Sequence, residues 1–450
     1  MSAWNRLFGL YGPLLALFYF AGIFKTQLDL PIDLTVLLAA ALSLLIVRRI
    51  AKNPLFPRAV AWAGVLWGCM ALGFLAADEG YGTQKAISFF SLTLLGAVAP
   101  ALLLRDADGV RRFANSLLLI GLIVAASAAN SLGSLGVYDR LTVFDANTIA
   151  LARAVGAGLT ALTALWLLRR FPAWAALPLM AAMAFIMIAS GSRGPLAGVV
   201  FAALPVMLYS LRHLRGVARL ALLIAAAVSA SAVALPFLPE QSRARIETFL
   251  GGELDKSASI RAEALQYSWA VIQEHPWGIG MGNFQYAVAL SPTPVPILYP
   301  HNILAEVALE SGWLPSTVLV FLFVTAVLRC IRNYGRLPDV SRLVLSLLLF
   351  STVNALVSGD LNDNRLFWGL LFLALSLDSV RTQLSAGQAA APLASRSLLR
   401  SATDEPLAVY TAASGPAQTL LAGRPWCSDR DRCRIGSWRC ARQRRWRGRK

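Results

Sequence analysis

Apolar runs of about 16 to 22 residues recur along this chain as far as residue 380, separated by polar breaks of which one, 239–300, is long. A run of that length covers the roughly 30 Å hydrocarbon layer of a bilayer as a helix. In lipid a helix is also one of only two spanning structures that leave no backbone polar group unpaired. The runs predict spans near 7–24, 32–47, 59–77, 87–104, 113–132, 148–168, 173–190, 195–211, 217–238, 302–328, 340–358 and 365–380, about twelve, with the second and eighth short for a crossing. The breaks test this map, because Lys and Arg accumulate on the cytoplasmic side of a membrane protein. They alternate. Arg48, Arg49, Lys52 and Arg58 fill one break, then Arg105, Arg111 and Arg112, then Arg169 and Arg170, then Arg212, Arg215 and Arg219, and finally Arg329, Arg332, Arg336 and Arg342. The intervening breaks, among them 133–147, the turn 191–194, the long 239–300 segment and 359–364, are poorer in net positive charge. The expected fold is therefore all-α: a polytopic integral membrane protein with both termini cytoplasmic and one long outer loop, 239–300.

Composition excludes the soluble alternatives, since 57% of residues are hydrophobic, only 14% are charged and the mean hydropathy is +0.60. A formal charge of +17 would suggest nucleic acid, but residues 424–450 alone hold eleven Arg or Lys against two Asp. An arginine-rich tail behind a cytoplasmic membrane end fits anionic lipid or plain solvation better than sequence reading, so no nucleic-acid partner is expected. From 384 to 423 the chain is rich in Ala, Ser, Gly and Pro without a period, so 1–381 is predicted as the membrane body and 382–450 as a cytoplasmic tail without a packed core. The first run has only Arg6 as a basic lead and no clear cleavage site, and reads as a signal anchor. Cys69 and Cys330 read as packing residues, and Cys427, Cys433 and Cys440 lack metal-ligand spacing. With only His213, His275 and His301 in the chain, neither a metal site nor a disulfide framework is expected.

Polar groups at the membrane are costly, so the few present are candidates for function. Arg153 falls about five residues inside the sixth span, roughly 8 Å down, and either snorkels to the interface or serves a site. Arg193 lies in the outer turn Ser190-Gly191-Ser192-Arg193-Gly194-Pro195, with Pro195 suited to the first helical position; a cation beside a helix N-terminus is an anion site, or else an interfacial anchor. Residues 257–274 show helical periodicity, with Leu265, Ser268, Trp269 and Ile272 on one stripe and Arg261 one turn before them, as in an amphipathic helix lying on the bundle. Gly278, Gly280 and Gly282 follow, reading as a structural turn or, without a strand before or Lys-Ser/Thr after, a poor phosphate cradle. Pro292, Pro294, Pro296 and Pro300 then stiffen the approach to His301 and Asn302, where the tenth span begins. His301 is a candidate base. The carboxylates available instead are Glu306 and Glu310, on helix faces away from His301, and Asp360 and Asp363 before the last span.

Taken in order, Ser192-Arg193-Gly194, Ile260-Arg261-Ala262-Glu263, His275-Pro276-Trp277-Gly278-Ile279-Gly280, and His301-Asn302 with Gly312 following resemble the O-antigen ligase and O-antigen polymerase superfamily. The similar region runs from about 130 to 360 and includes Phe144-Asp145-Ala146-Asn147. Pro315 stands where Gly, Thr or Tyr often ends the family pattern. The resemblance implies a glycosyltransferase domain over 1–381, in the inner membrane of a bacterium, with its active site facing the periplasm and no cofactor or metal. The implied donor is an undecaprenyl-diphosphate-linked glycan, and the implied acceptor a hydroxyl of lipid A-core or of a growing polysaccharide. Arg193 and Arg261 would hold the diphosphate and His301 would act on the acceptor hydroxyl, with inversion at the anomeric carbon. Arg153, Asn302, Asn147 and Asp360 would bind substrate. Ligation to lipid A-core, polymerisation of O-antigen and polymerisation of exopolysaccharide differ only in acceptor, with ligation slightly preferred. A lipid-linked glycan transporter or flippase is the alternative of another class, and predicts internal repeats that the chain does not show. A cell-wall polymerase of the shape and division type lacks a counterpart to His301-Asn302.

Overall fold

The computed structural model describes residues 3–25, 27, 30–52, 56–132, 141–144, 147–210, 217–218, 221, 256–289 and 298–380. Among these the regular structure is helical. In order come α1 (Ala3–Leu7), α2 (Tyr11–Phe24), α3 (Leu34–Lys52), α4 (Arg58–Leu75), α5 (Tyr81–Ser88), α6 (Leu94–Leu103), α7 (Ala107–Ser131), α8 (Thr148–Leu167), α9 (Ala173–Ala189), α10 (Arg193–Ser210), α11 (Lys256–Glu274), α12 (Phe284–Ala289), α13 (Ile303–Ser311), α14 (Trp313–Arg332), α15 (Pro338–Val357) and α16 (Arg365–Leu375). Seven stretches among the described residues are long and apolar enough to cross a membrane: α3, α4, the continuous Tyr81–Leu103, α7, α8, α14 and α15. Four shorter apolar helices accompany them, α2, α9, Arg193–Pro205 of α10, and α16. The chain is an all-α polytopic membrane protein. Most of the ninth expected span and the tail from 381, with Cys427, Cys433 and Cys440, lie outside the described residues, as do Asp145, Ala146, Pro292, Pro294 and Pro296.

At the centre of the packing lies α8, which touches α7, α9, α10 and α15 and is buried along nearly all its length. Its small side chains explain how. Helices in lipid gain little from apolar burial against one another and depend on close approach, which Gly and Ala permit. A Cβ on Gly121 of α7 would lie 3.0 Å from Gly158 Cα of α8, and one on Gly198 of α10 would lie 3.1 Å from the Phe350 carbonyl oxygen of α15. Thus α8, α10 and α15 come together, and their ends frame the site described below.

Two expectations need correction. The tenth span, 302–328, is not one helix: Gly312, at φ 92°, separates α13 from α14, and the membrane-length segment is Trp313–Arg332. Gly312 is required there, because its φ is open to glycine and a Cβ would lie 2.8 Å from the Pro276 carbonyl oxygen. The buried stripe of α11 is also rotated from the expected one. Ala264, Ser268, Val271 and Ile272 are buried, whereas Leu265 and Trp269 are exposed, Trp269 meeting Trp313 edge-on at 5.7 Å.

Candidate functional site

His301 stands at a break in the chain that its neighbours enforce. Pro300 blocks helix on the residue before it, and Asn302 caps α13, its Oδ1 accepting from the amides of Leu304 (3.1 Å) and Ala305 (3.0 Å). Asn302 Nδ2 donates to the Leu356 carbonyl at 3.0 Å, pinning the cap to the end of α15. Between these constraints His301 takes φ 57°, a left-handed conformation that costs a non-glycine residue roughly 1–3 kcal/mol and persists only when the surroundings over-determine it. Its ring packs against Tyr299 with centroids 4.5 Å apart.

The imidazole faces a cleft of about 450 Å³. One wall is the turn before α10 and its first residues, Gly191 to Pro195, including Arg193; another is α11 through Ala258, Arg261, Ala262 and Leu265. The remainder comes from Thr148 and Ile149 of α8, from Pro300 to Asn302, and from Leu356 to Ser358. Arg193 opens α10, two residues earlier than expected, so Pro195 is the third helical residue; its missing N–H is still one that no helix carbonyl could have used. Ser192 Oγ donates to the Thr148 carbonyl at 3.1 Å and holds the turn to α8. Among the described residues the lining contains two arginines and a histidine and no carboxylate.

Burial first, then the charges of Arg261 and Arg153, push the His301 pKa down to about 4, with Asp360 opposing. The ring is therefore neutral near pH 7 and able to accept a proton. Two arginines with a neutral base beside them suit a substrate that carries an anionic group next to a reacting hydroxyl.

Four of the seven residues singled out in the sequence line this cleft: Arg193, Arg261, His301 and Asn302. The other three are placed around it. Arg153 donates to the carbonyls of Ser358 (2.6 Å) and Asp363 (3.3 Å), bracing the turn between α15 and α16. Gly359, at φ 74°, leaves room for it, since a Cβ there would lie 2.7 Å from Arg153 Nη2. Asn147 caps α8, its Oδ1 accepting from the Ala150 amide at 2.8 Å. Asp360 Oδ1 accepts from the amides of Asn362 (2.9 Å) and Asp363 (2.7 Å), folding the same turn.

The glycine-spaced turn spends its amides on protein. Ile279 N donates to the Leu309 carbonyl (2.8 Å), Gly280 N to the Glu310 carbonyl (3.1 Å), Met281 N to the Gly73 carbonyl (2.9 Å) and Gly282 N to Glu310 Oε1 (3.1 Å). Gly278, Gly280 and Gly282 all have φ between 82° and 94°, and a Cβ on Gly280 would overlap the Ala76 carbonyl. The turn is structural and cradles no phosphate. Glu306 and Glu310, considered above as bases, are fully buried against Lys85 and do not reach the cleft. Sequence reading missed that partnership, although two carboxylates four residues apart in an apolar run call for a cation, and Lys85 stands two residues before the fourth expected span.

The O-antigen ligase family model matches residues 178–321. No curated protein matches the chain significantly. The stretch that is similar to the O-antigen ligase family, 178–321, supplies Arg193, Arg261, His301 and Asn302 to the cleft of this membrane protein.

Proposed function

We propose that the protein is a membrane glycosyltransferase that moves a glycan from an undecaprenyl-diphosphate carrier to an acceptor hydroxyl at the periplasmic face of the inner membrane. One observation carries this reading: Arg193, Arg261 and His301, from three separate segments, converge on one cleft whose lining, among the described residues, holds no carboxylate. As the glycosidic C–O bond breaks, its electron pair stays on the leaving diphosphate, whose growing charge the two guanidinium groups hold bidentately. The acceptor oxygen bonds to the anomeric carbon from the opposite face, and His301 takes its proton. Attack opposite the leaving group inverts the anomeric carbon. The arginines supply the cationic charge that a divalent metal would otherwise bring, so the reaction proceeds without one. Asn302, Asn147, Arg153 and Asp360 support this site by fixing the turns around it, and Asp360 and Arg153 act on His301 through their charge.

The seven membrane-length segments, the four shorter apolar helices and the apolar run at 217–238 support about twelve crossings, with both termini cytoplasmic. The acceptor is taken to be lipid A-core, with O-antigen or exopolysaccharide polymerisation as the alternative within the family. A strain lacking the protein, complemented by wild type or by His301→Ala at matched expression, tests this. Long polymer stranded on its lipid carrier identifies a ligase, accumulated single repeats a polymerase, and unchanged glycans reject both. A transporter would keep working in the His301→Ala strain.

A further inference from the structure

Lys85, Glu306 and Glu310 form an ionic cluster that the chemistry proposed above does not use. All three side chains are fully buried, and Lys85 Nζ donates to Oε1 of both carboxylates. Each of those oxygens also accepts a backbone amide, Glu306 from Leu361 (3.3 Å) and Glu310 from Gly282 (3.1 Å). A single ammonium thus joins α13, the turn after α15 and the glycine turn that follows α11. Asn362 closes the arrangement: its Nδ2 donates to the Lys85 carbonyl (3.0 Å) and its Oδ1 accepts from Thr93 Oγ1 (2.6 Å). Lys85 and Thr93, eight residues apart, would diverge by about 80° on a regular helix. The π turn Phe89–Thr93 inserts one residue and brings them within about 20°, onto the same face.

Such a cluster is a poor way to hold a bundle together. Buried ions are costly to desolvate, and apolar packing of equal volume is often as stable or more so. Here two carboxylates share one cation, and the second oxygen of each is buried without a partner. What ions offer and apolar side chains do not is direction, a fixed angle and register between the elements they join. The joined elements are those on which the cleft depends: α13 begins two residues after His301, the 358–364 turn is braced by Arg153, and the glycine turn ends the segment of Arg261.

We propose that Lys85, Glu306 and Glu310 are positioning residues that set the place of the His301 imidazole by locking α13 and the two adjoining turns to the membrane span that carries Lys85. The inference rests on His301 being the acting group, but its test does not require turnover. The full-length protein in lipid nanodiscs, carrying His213→Gln and His275→Gln so that one histidine remains, is titrated by imidazole nitrogen NMR. The groups acting on His301 are Arg261, Arg153 and Asp360, which with burial keep its midpoint near 4. In a folded Lys85→Met protein the midpoint moves up by about 1 unit toward the ordinary value. The kcat for transfer falls by about 10²-fold, while the donor KM changes by less than about threefold. Glu310→Ala removes the tie to Gly282 and one of the two Lys85 bonds to α13, leaves Lys85 and Glu306 as a one-to-one pair, and gives a smaller shift in the same direction. Should Lys85→Met fail to fold, the Glu310→Ala titration decides. An unchanged midpoint in whichever variant folds overturns the proposal. Retained activity in His301→Ala would instead overturn the functional reading and leave the midpoint comparison standing.

Discussion

The arginines at the two ends of α8 and α15 are used in opposite ways. Beyond the end of α8 that is remote from the cleft, Arg170 donates through Nε (3.0 Å) and Nη2 (2.6 Å) to Asp339 at the start of α15, and Arg111 lies 3.8 Å from the same carboxylate. Nearby, Arg336 donates to the carbonyls of Asp378 (2.8 Å) and Val380 (2.6 Å). At the other end, Arg193 and Arg261 border a cleft with no carboxylate among the described residues of its lining. Arginine paired with a carboxylate across the bundle makes an anchor; arginine bordering an open cleft is placed to meet a group that enters it. The residue type is the same, and the difference lies in what the fold puts opposite it.

That contrast can be broken most sharply at His301. His301→Ala should lower transfer by about 10²- to 10⁴-fold with the protein still inserted, measured on lipid-linked donor in reconstituted vesicles. Arg193→Ala and Arg261→Ala should each lose about 10²- to 10³-fold in kcat, and lysine at either position should not restore it, because an ammonium cannot grip a diphosphate bidentately. Near-normal turnover in either lysine variant would equate the cleft arginines with simple anchors. A third test uses pH. His301 accepts a proton only when neutral, and its pKa is pushed down to about 4, so kcat/KM should stay level as pH falls through 6 and drop only near 4. A drop centred near 6.5 would mean that the ring is not buried beside the charges of Arg261 and Arg153. The smallest effect belongs to the opposite end. Asp339→Asn should cost about 0–1 kcal/mol in stability and leave kcat within about twofold, since its ion pairs are partly exposed.

Much of the fold was legible because hydrophobic length is a direct physical requirement of the bilayer, and the helices follow the apolar runs closely. Arg193, Arg261 and His301 were legible for the converse reason: polar side chains in such a chain are few and stand out. What failed did so where apolarity carries no information. The run 302–328 is apolar on both sides of Gly312, so only the backbone conformation of that glycine reveals two helices. On α11, the period picked out Leu265 and Trp269 as packed on the bundle, yet both are exposed: Leu265 borders the cleft and Trp269 meets Trp313, so an apolar side chain on this helix serves a surface as readily as a core. Lys85 was overlooked because its partners are more than 200 residues away, and no local pattern reports a contact of that range.

The division of the cleft between segments bears on heredity as much as on chemistry. The stretch recognisable as the family's own, 178–321, brings the arginines and the histidine, whereas Thr148, Ile149 and Leu356 to Ser358 lie outside it. Its helix α10 packs on α8 and α15, and its helix α13 on α4, none of which it includes. A graft of 178–321 into a distant relative would carry the reactive groups and leave behind the wall against which they are aimed. The matched stretch is thus smaller than the unit that builds the cleft, which also needs α8 and the end of α15.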